Sequence, residues 1–186
     1  MKHYSALVLL VVFFSCGWGA KSLYVEDASK GFNGGFEFWQ GRDLINWQVY
    51  SEETGTPGSF TTTADATIKK EGNYSLHWKV NACKVAVGNQ APGIAKEIPA
   101  KAGTTYTLTG WVKSTDASSI PFQMGAVNAH HGQHLSTRIF LPSTTEWNHF
   151  QESFTVPKGF DRLRIEFNVD HIGDVWLDGL ELREGK

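Results

Sequence analysis

Thr104–Lys113 reads TTYTLTGWVK, and three later runs repeat its logic: EWNHFQESFTVP (Glu146–Pro157), DRLRIEFNVD (Asp161–Asp170) and DVWLDGLELRE (Asp174–Glu184). Each alternates apolar and polar residues, and Gly, Pro or Asp breaks separate them. A period of two is the mark of a strand with one buried and one wet face. Several such strands in succession predict an antiparallel sandwich or barrel. Working outward, Trp47–Tyr50, Ser59–Ala64, Tyr74–Val80, Gly93–Ile98, Phe122–Val127 and Leu135–Leu141 read as further strands. Ser51–Gly58 and Pro99–Gly103 read as a loop and a turn. No stretch keeps a 3.6-residue period over ten residues, so almost no helix is expected. The expected fold class is all-β, an antiparallel β-sandwich.

The alternation also assigns faces. Tyr106, Leu108, Gly110 and Val112 share the core phase, leaving Trp111 among threonines on the polar one. In the later run Leu163, Ile165, Phe167 and Val169 point inward, and Arg162, Arg164, Glu166 and Asn168 point out. A tryptophan on a wet face is suited to stacking on a pyranose ring. Arg, Glu and Asn supply forked donors and acceptors for vicinal hydroxyls. Provided the two strands share a sheet, these residues form one sugar-binding cleft. A solvated face laced with ion pairs, with Trp111 under a loop, is the bland alternative.

The chain has 186 residues, enough for one domain with a sizeable core. Its net charge of −2 argues against a nucleic-acid partner. The aromatic content of 13% suits both sandwich packing and sugar stacking. Ala6–Phe14 is an unbroken apolar run, too short to span a bilayer and right for a signal-peptide core. Ser15-Cys16-Gly17 follows and resembles the lipobox of bacterial lipoproteins, in which Cys16 becomes the lipidated first residue. The expected organisation is a leader at 1–15, a lipidated N-terminus and tether at 16–31, and one domain at 32–186. Export follows in either case, to the outer membrane or cell surface with the lipid, or secreted or periplasmic if cleavage falls near Gly17 or Gly19. The lipid is then the sole membrane attachment. Lipid on Cys16 leaves Cys83 without a disulfide partner.

The order NGGFE, a lone Trp, EGNYSLHW, AGTTYTLTGWVK, TTEWNHFQESFTVP and DVWLDGLELRE resembles the jelly-roll carbohydrate-binding modules of the family 4, 9 and 22 group. That group lies within the galactose-binding-like superfold, and the resemblance runs from about Phe32 to Glu184. It implies a jelly roll that binds a poly- or oligosaccharide. It also implies a structural calcium where the first and last strands meet. Glu37 and Asp178 match the family's acids, and Lys70 and Gly72 lie where it supplies carbonyl donors. It places Trp47 and Trp147 in the core; Trp39, following Phe36 and Phe38, reads from its own neighbours as a candidate surface residue.

The run Asn128-Ala129-His130-His131-Gly132-Gln133-His134 reads as a hairpin loop. Asn128, His130 and His134 there suit sugar contact, or a plain loop, ahead of a transition metal, since no HExxH pattern or included carboxylate accompanies them. Catalysis has little support: no paired acids, G-x-S-x-G or phosphate-binding loop is present. The expectation is a non-catalytic carbohydrate-binding protein. An adhesion module with a protein partner is the second reading. A small jelly-roll enzyme using His130, His134 and Arg164 is the third.

The leader predicts a membrane-bound mature protein. Cys16→Ser should release it into the soluble fraction or block its processing. A soluble wild type whose intact mass shows cleavage beyond Cys16 rules the lipid out.

Overall fold

The computed structural model describes residues 25–50, 58–83, 92–116, 118–130 and 132–185. The leader, Cys16, most of the tether, His131 and the side chain of Cys83 lie outside the described residues. Twelve strands follow a short 3-10 turn at Ala28–Lys30. They are β1 (Trp39–Gln40), β2 (Asp43–Leu44), β3 (Gln48–Tyr50), β4 (Gly58–Asp65), β5 (Ser75–Cys83) and β6 (Gly93–Pro99), then β7 (Thr105–Ser114), β8 (Ser118–Asn128), β9 (Gln133–Ser143), β10 (Asn148–Thr155), β11 (Arg162–Asn168) and β12 (Gly173–Glu184). No α-helix occurs among the described residues.

The strands form two five-stranded sheets, β10-β7-β12-β5-β4 and β3-β6-β11-β8-β9, with β1-β2 as a small separate hairpin. Every pairing is antiparallel. The sheets stack face to face as a jelly-roll sandwich. The core is the period-two set: Leu108 and Val112 of β7, Leu163, Ile165 and Phe167 of β11, and Leu76, Trp78 and Val80 of β5 are all buried. Phe122 and Phe167 of one sheet meet at 4.7 Å between ring centroids, and Phe150 of the other lies 5.9 Å from Phe167. These rings join the layers. Gly110 stands in the core phase because a Cβ there would fall 2.4 Å from Leu180 and 2.9 Å from the Phe150 ring.

The N-terminal segment is tied down by one asparagine. Asn46, at φ +68°, accepts from the Asp27 amide at 2.7 Å and donates to the carbonyls of Asp27 and Gly31. Next to it Trp47 is fully buried, and its Nε1–H donates to the carbonyls of Phe32 and Asn33. Trp47 is thus a core residue, as the resemblance implied. Trp147 is only half-buried and stands outside the core cluster. Trp39 is half-buried against the core edge, not on the open surface. The run Tyr74–Val80 was expected to begin its strand at Tyr74; that residue precedes β5 instead and is exposed.

Lys96 is the exception to the apolar inner face of β6. It is buried, its Nζ donates to the Asn46 carbonyl at 2.5 Å, and it sits 5.7 Å from the ring centroids of both Phe32 and Trp47. Burial lowers its pKa to about 8, against the raising effect of Glu26. Below that value the folded and unfolded chains both carry the proton, and the burial penalty is paid in full. As pH rises above 8 the folded chain loses a proton that the unfolded chain keeps, so stability increases. Tyr50, pushed up to about 12, opposes this only once an unfolded tyrosine begins to ionise, near pH 10. Lys96 should therefore add up to roughly 2 kcal/mol of stability between about pH 8 and 10. Denaturant titrations of wild type and Lys96→Met across that window check it. An equal rise in the variant would remove Lys96 as the cause.

Candidate functional site

The outer face of the sheet built on β11 carries the densest polar arrangement described. Alternation puts Arg162, Arg164, Glu166 and Asn168 on that face, and the register sets their neighbours. Arg164 lies between Glu97 of β6 and Gly125 of β8. Glu166 lies between Ala95 and Gln123, and Gln123 pairs in turn with Arg138 of β9. Asn168 opposes Gly93, which also pairs with Tyr50 of β3. Small residues at 93, 95 and 125 leave a low floor between longer side chains. Gly93 has no alternative, because a Cβ there would come 2.2 Å from the Phe167 carbonyl and 2.7 Å from Asn168 Nδ2.

Arg164 organises this face. Its guanidinium donates to Glu97 Oε1 at 2.8 Å, to the Tyr50 hydroxyl at 2.7 Å, and through Nε and Nη2 to Glu166 Oε2 at 3.1 and 2.9 Å. Burial works against its charge, but Tyr50, Glu166 and Glu97 outweigh that, and its pKa stands above the usual arginine value. Burial likewise drives the Tyr50 phenol up to about 12, with the Arg164 charge opposing and the Glu166 charge adding.

The sequence placed Glu166 and Asn168 in solvent. The structure corrects this: they are 1% and 4% exposed. A carboxylate paired by a guanidinium fork can leave water, which alternation alone does not reveal. The burial is incomplete in its chemistry. Glu166 Oε1, Asn168 Nδ2 and Arg162 Nε are buried without hydrogen-bond partners. Arg162 Nε faces the Glu97 carboxylate at 3.7 Å, so one acceptor, Glu166 Oε1, and one donor, Asn168 Nδ2, are left for the hydroxyls of a polyol.

Trp111 is elsewhere. Its strand β7 pairs with β10 and β12, in the other sheet, so Trp111 and Arg164 occupy opposite outer faces of the sandwich. The condition for one cleft containing both is not met. Trp111 is half-buried, with Lys70 Nζ 3.9 Å above its ring and His149 edge-on at 4.8 Å. His134, by contrast, lies exposed on the outward phase of β9, opposite Val127, on the Arg164 face. Asn128 ends β8 and donates from Nδ2 to the Gly159 carbonyl, while its Oδ1 accepts from the His130 amide at 3.0 Å. Those bonds shape the turn. No group of three His, Cys, Asp or Glu side chains suited to a metal ion gathers among the described residues. Sequence reasoning overlooked Tyr50, Glu97, Gln123, Arg138 and the exposed Phe140. Their outward phase was legible; their meeting from four strands around β11 was not.

Glu37 and Asp178 converge on a single loop. Asp178, fully buried at a bulge in β12, accepts through Oδ2 from the amides of Lys70 and Glu71 at 2.7 and 3.0 Å, and through Oδ1 from Gly179 at 2.7 Å. Burial raises its pKa against the pull of those donors. Glu37 Oε1 accepts from the amides of Asn73 and Tyr74 at 2.8 and 3.2 Å. Gly72 between them has φ +60°, and a Cβ there would lie 2.0 Å from Glu37 Oε1. The glycine is the cradle that admits the carboxylate. Glu37 Oε2 accepts from Asn73 Nδ2 at 3.2 Å, so all four carboxylate oxygens of the two acids face N–H donors.

The family described as carbohydrate binding domain matches residues 28–173. No curated protein matches the chain. Among solved structures, the xylan-binding domain CBM22-1 of Paenibacillus barcinonensis Xyn10C is similar at TM-score 0.57 and 15% identity, over 82% of this chain and 92% of that one. A structure described as "CBM4 structure and function" gives TM-score 0.56 and 16% identity, over 82% and 98%. The enzymatically active domain of tailspike protein 4 from bacteriophage CBA120 gives TM-score 0.63 and 18% identity over 82% of this chain, which spans only 21% of that one. These likenesses establish the shared fold.

Proposed function

The chain belongs to the carbohydrate-binding domain family, and from that premise we propose that it captures an oligo- or polysaccharide on the outer face of the β3-β6-β11-β8-β9 sheet. The observation that carries this placement is the pair of buried polar atoms without a hydrogen-bond partner, Glu166 Oε1 and Asn168 Nδ2. Each costs stability until a partner arrives, and sugar hydroxyls supply both donors and acceptors. Phe140, 57% exposed on the outward phase of β9 and 5.5 Å from the Arg138 guanidinium, offers a ring for stacking. Arg164, locked by its neighbours, orients Glu166 and Tyr50 toward the ligand. His134 extends the face beyond Arg162. The structural likeness to a xylan-binding domain makes xylo-oligosaccharides the first ligands to test. Attachment to the cell surface through lipid on Cys16 belongs to the same proposal.

A calcium ion at the loop 70–74 is a second part of this reading. Glu37 and Asp178 would hold it with carbonyls of Lys70 and Gly72. Bound there, the ion would neutralise the buried Asp178 carboxylate and fix the loop against β12.

Phe140→Ala and Arg138→Ala should each weaken binding about tenfold, the loss of roughly 1.4 kcal/mol of contact energy. Stability should move by less than about 0.5 kcal/mol, since both side chains are exposed. A glycan array followed by calorimetry with xylohexaose and the best array ligand reads this out. Full affinity in the double variant would take the sugar off this face.

The melting temperature should climb with calcium concentration if the ion binds only the folded chain. An unchanged melt between chelator and millimolar calcium leaves Glu37 and Asp178 as amide clamps without an ion. Asp178→Ala should cost about 3 kcal/mol either way, because the amides of Lys70, Glu71 and Gly179 lose their acceptor together.

A further inference from the structure

A groove of about 430 Å³ opens at the edge of the sandwich, away from the Arg164 face. Its walls are the β1-β2 hairpin, through Trp39, Gly41 and Arg42, and the edge strand β4, through Thr62, Thr63 and Ala64; Glu37 and Tyr74 complete it. The β4 strand is the last strand of the other sheet, so the groove shares no strand with the face already described.

Three features of the groove point to a ligand. Its size falls within the roughly 300–1,000 Å³ of small-molecule sites. Two aromatic rings border it, Tyr74 at 39% exposure and Trp39, whose ring is fixed by an Nε1–H bond to the Phe36 carbonyl at 2.7 Å. Thr62 Oγ1 is buried with no hydrogen-bond partner. A hydroxyl that has left water without a bond lowers stability until something supplies one.

The wall carries one acid, Glu37, and one base, Arg42. Glu37 is partly occupied by the amides of Asn73 and Tyr74, while Arg42 is exposed on the turn between β1 and β2. Aromatic rings, a hydroxyl and a guanidinium are groups that hold a sugar ring by stacking and by its hydroxyls. We propose that this edge groove is a second saccharide subsite, taking one neutral sugar unit or a glycan end, independent of the sheet face.

The test is amide and indole chemical-shift mapping of the folded domain, with calcium present throughout. The probes are glucose, xylose, galactose, mannose and xylohexaose. At least one should shift the Trp39 indole resonance together with the amides of Gly41 and Thr62–Ala64. Thr62→Val removes the hydroxyl and keeps the shape. It should weaken that shift-derived affinity about three- to tenfold while the melting temperature holds or rises, because the lost group had no partner to lose. Tyr74→Ala should abolish the groove shifts and leave those on β8, β9 and β11 in place. Silent groove resonances with all five probes overturn the subsite, as does unaltered affinity in both variants. Shifts on the sheet face appear or fail separately, so the fate of the main binding face is read independently.

Discussion

A strand must send successive side chains to opposite faces, and in this protein one face of each sheet is sunk in a shared core. The main proposed binding face is confined to what the other face of one sheet can show. Phe122, Phe150 and Phe167 join the layers, so neither sheet can slide without breaking an aromatic contact. A slip of one residue in β11 would exchange Ile165 and Phe167 for Arg164 and Glu166. The core therefore fixes the register, and the register fixes the polar face.

On that face the governing term is electrostatic. Arg164 satisfies Glu97, Glu166 and Tyr50 at once, which lets a carboxylate sit almost wholly out of water. A surface of mobile ion pairs would lose side-chain entropy on meeting a sugar. A locked network has lost it already, during folding. The remaining unpartnered atoms then act as placed donors and acceptors. Energetically the arrangement is a small debit in stability held in reserve for a ligand.

The opposite end of the sandwich solves another problem. The loop 70–74 must turn over the bulge of β12, where Gly179 has φ +57° and Asp178 is buried. Asp178 and Glu37 hold that loop from both sides through its backbone amides. Lys70 in turn reaches the Trp111 ring, so the residue that looked most like a sugar platform is partly covered by the loop that the acids hold.

How much was legible in the sequence differs between levels. Alternation, β-propensity and turn breaks located ten of the twelve strands among the described residues, missing the two-residue β1 and β2, which are too short to carry a period. Alternation placed Leu108, Val112, Leu163, Ile165 and Phe167 in the core correctly, because burial of an apolar phase is a local property of the strand. It also put Trp111 and Arg164 on outward phases, and both are. What it lacked was the strand order. Pairing is decided by contacts between residues far apart in the chain, here β7 with β10 and β12 and β11 with β6 and β8. Only that tertiary choice sent Trp111 and Arg164 to opposite sides, assembled Tyr50, Glu97 and Glu166 around one guanidinium, and drew Glu166 and Asn168 out of the solvent in which their outward phase had placed them.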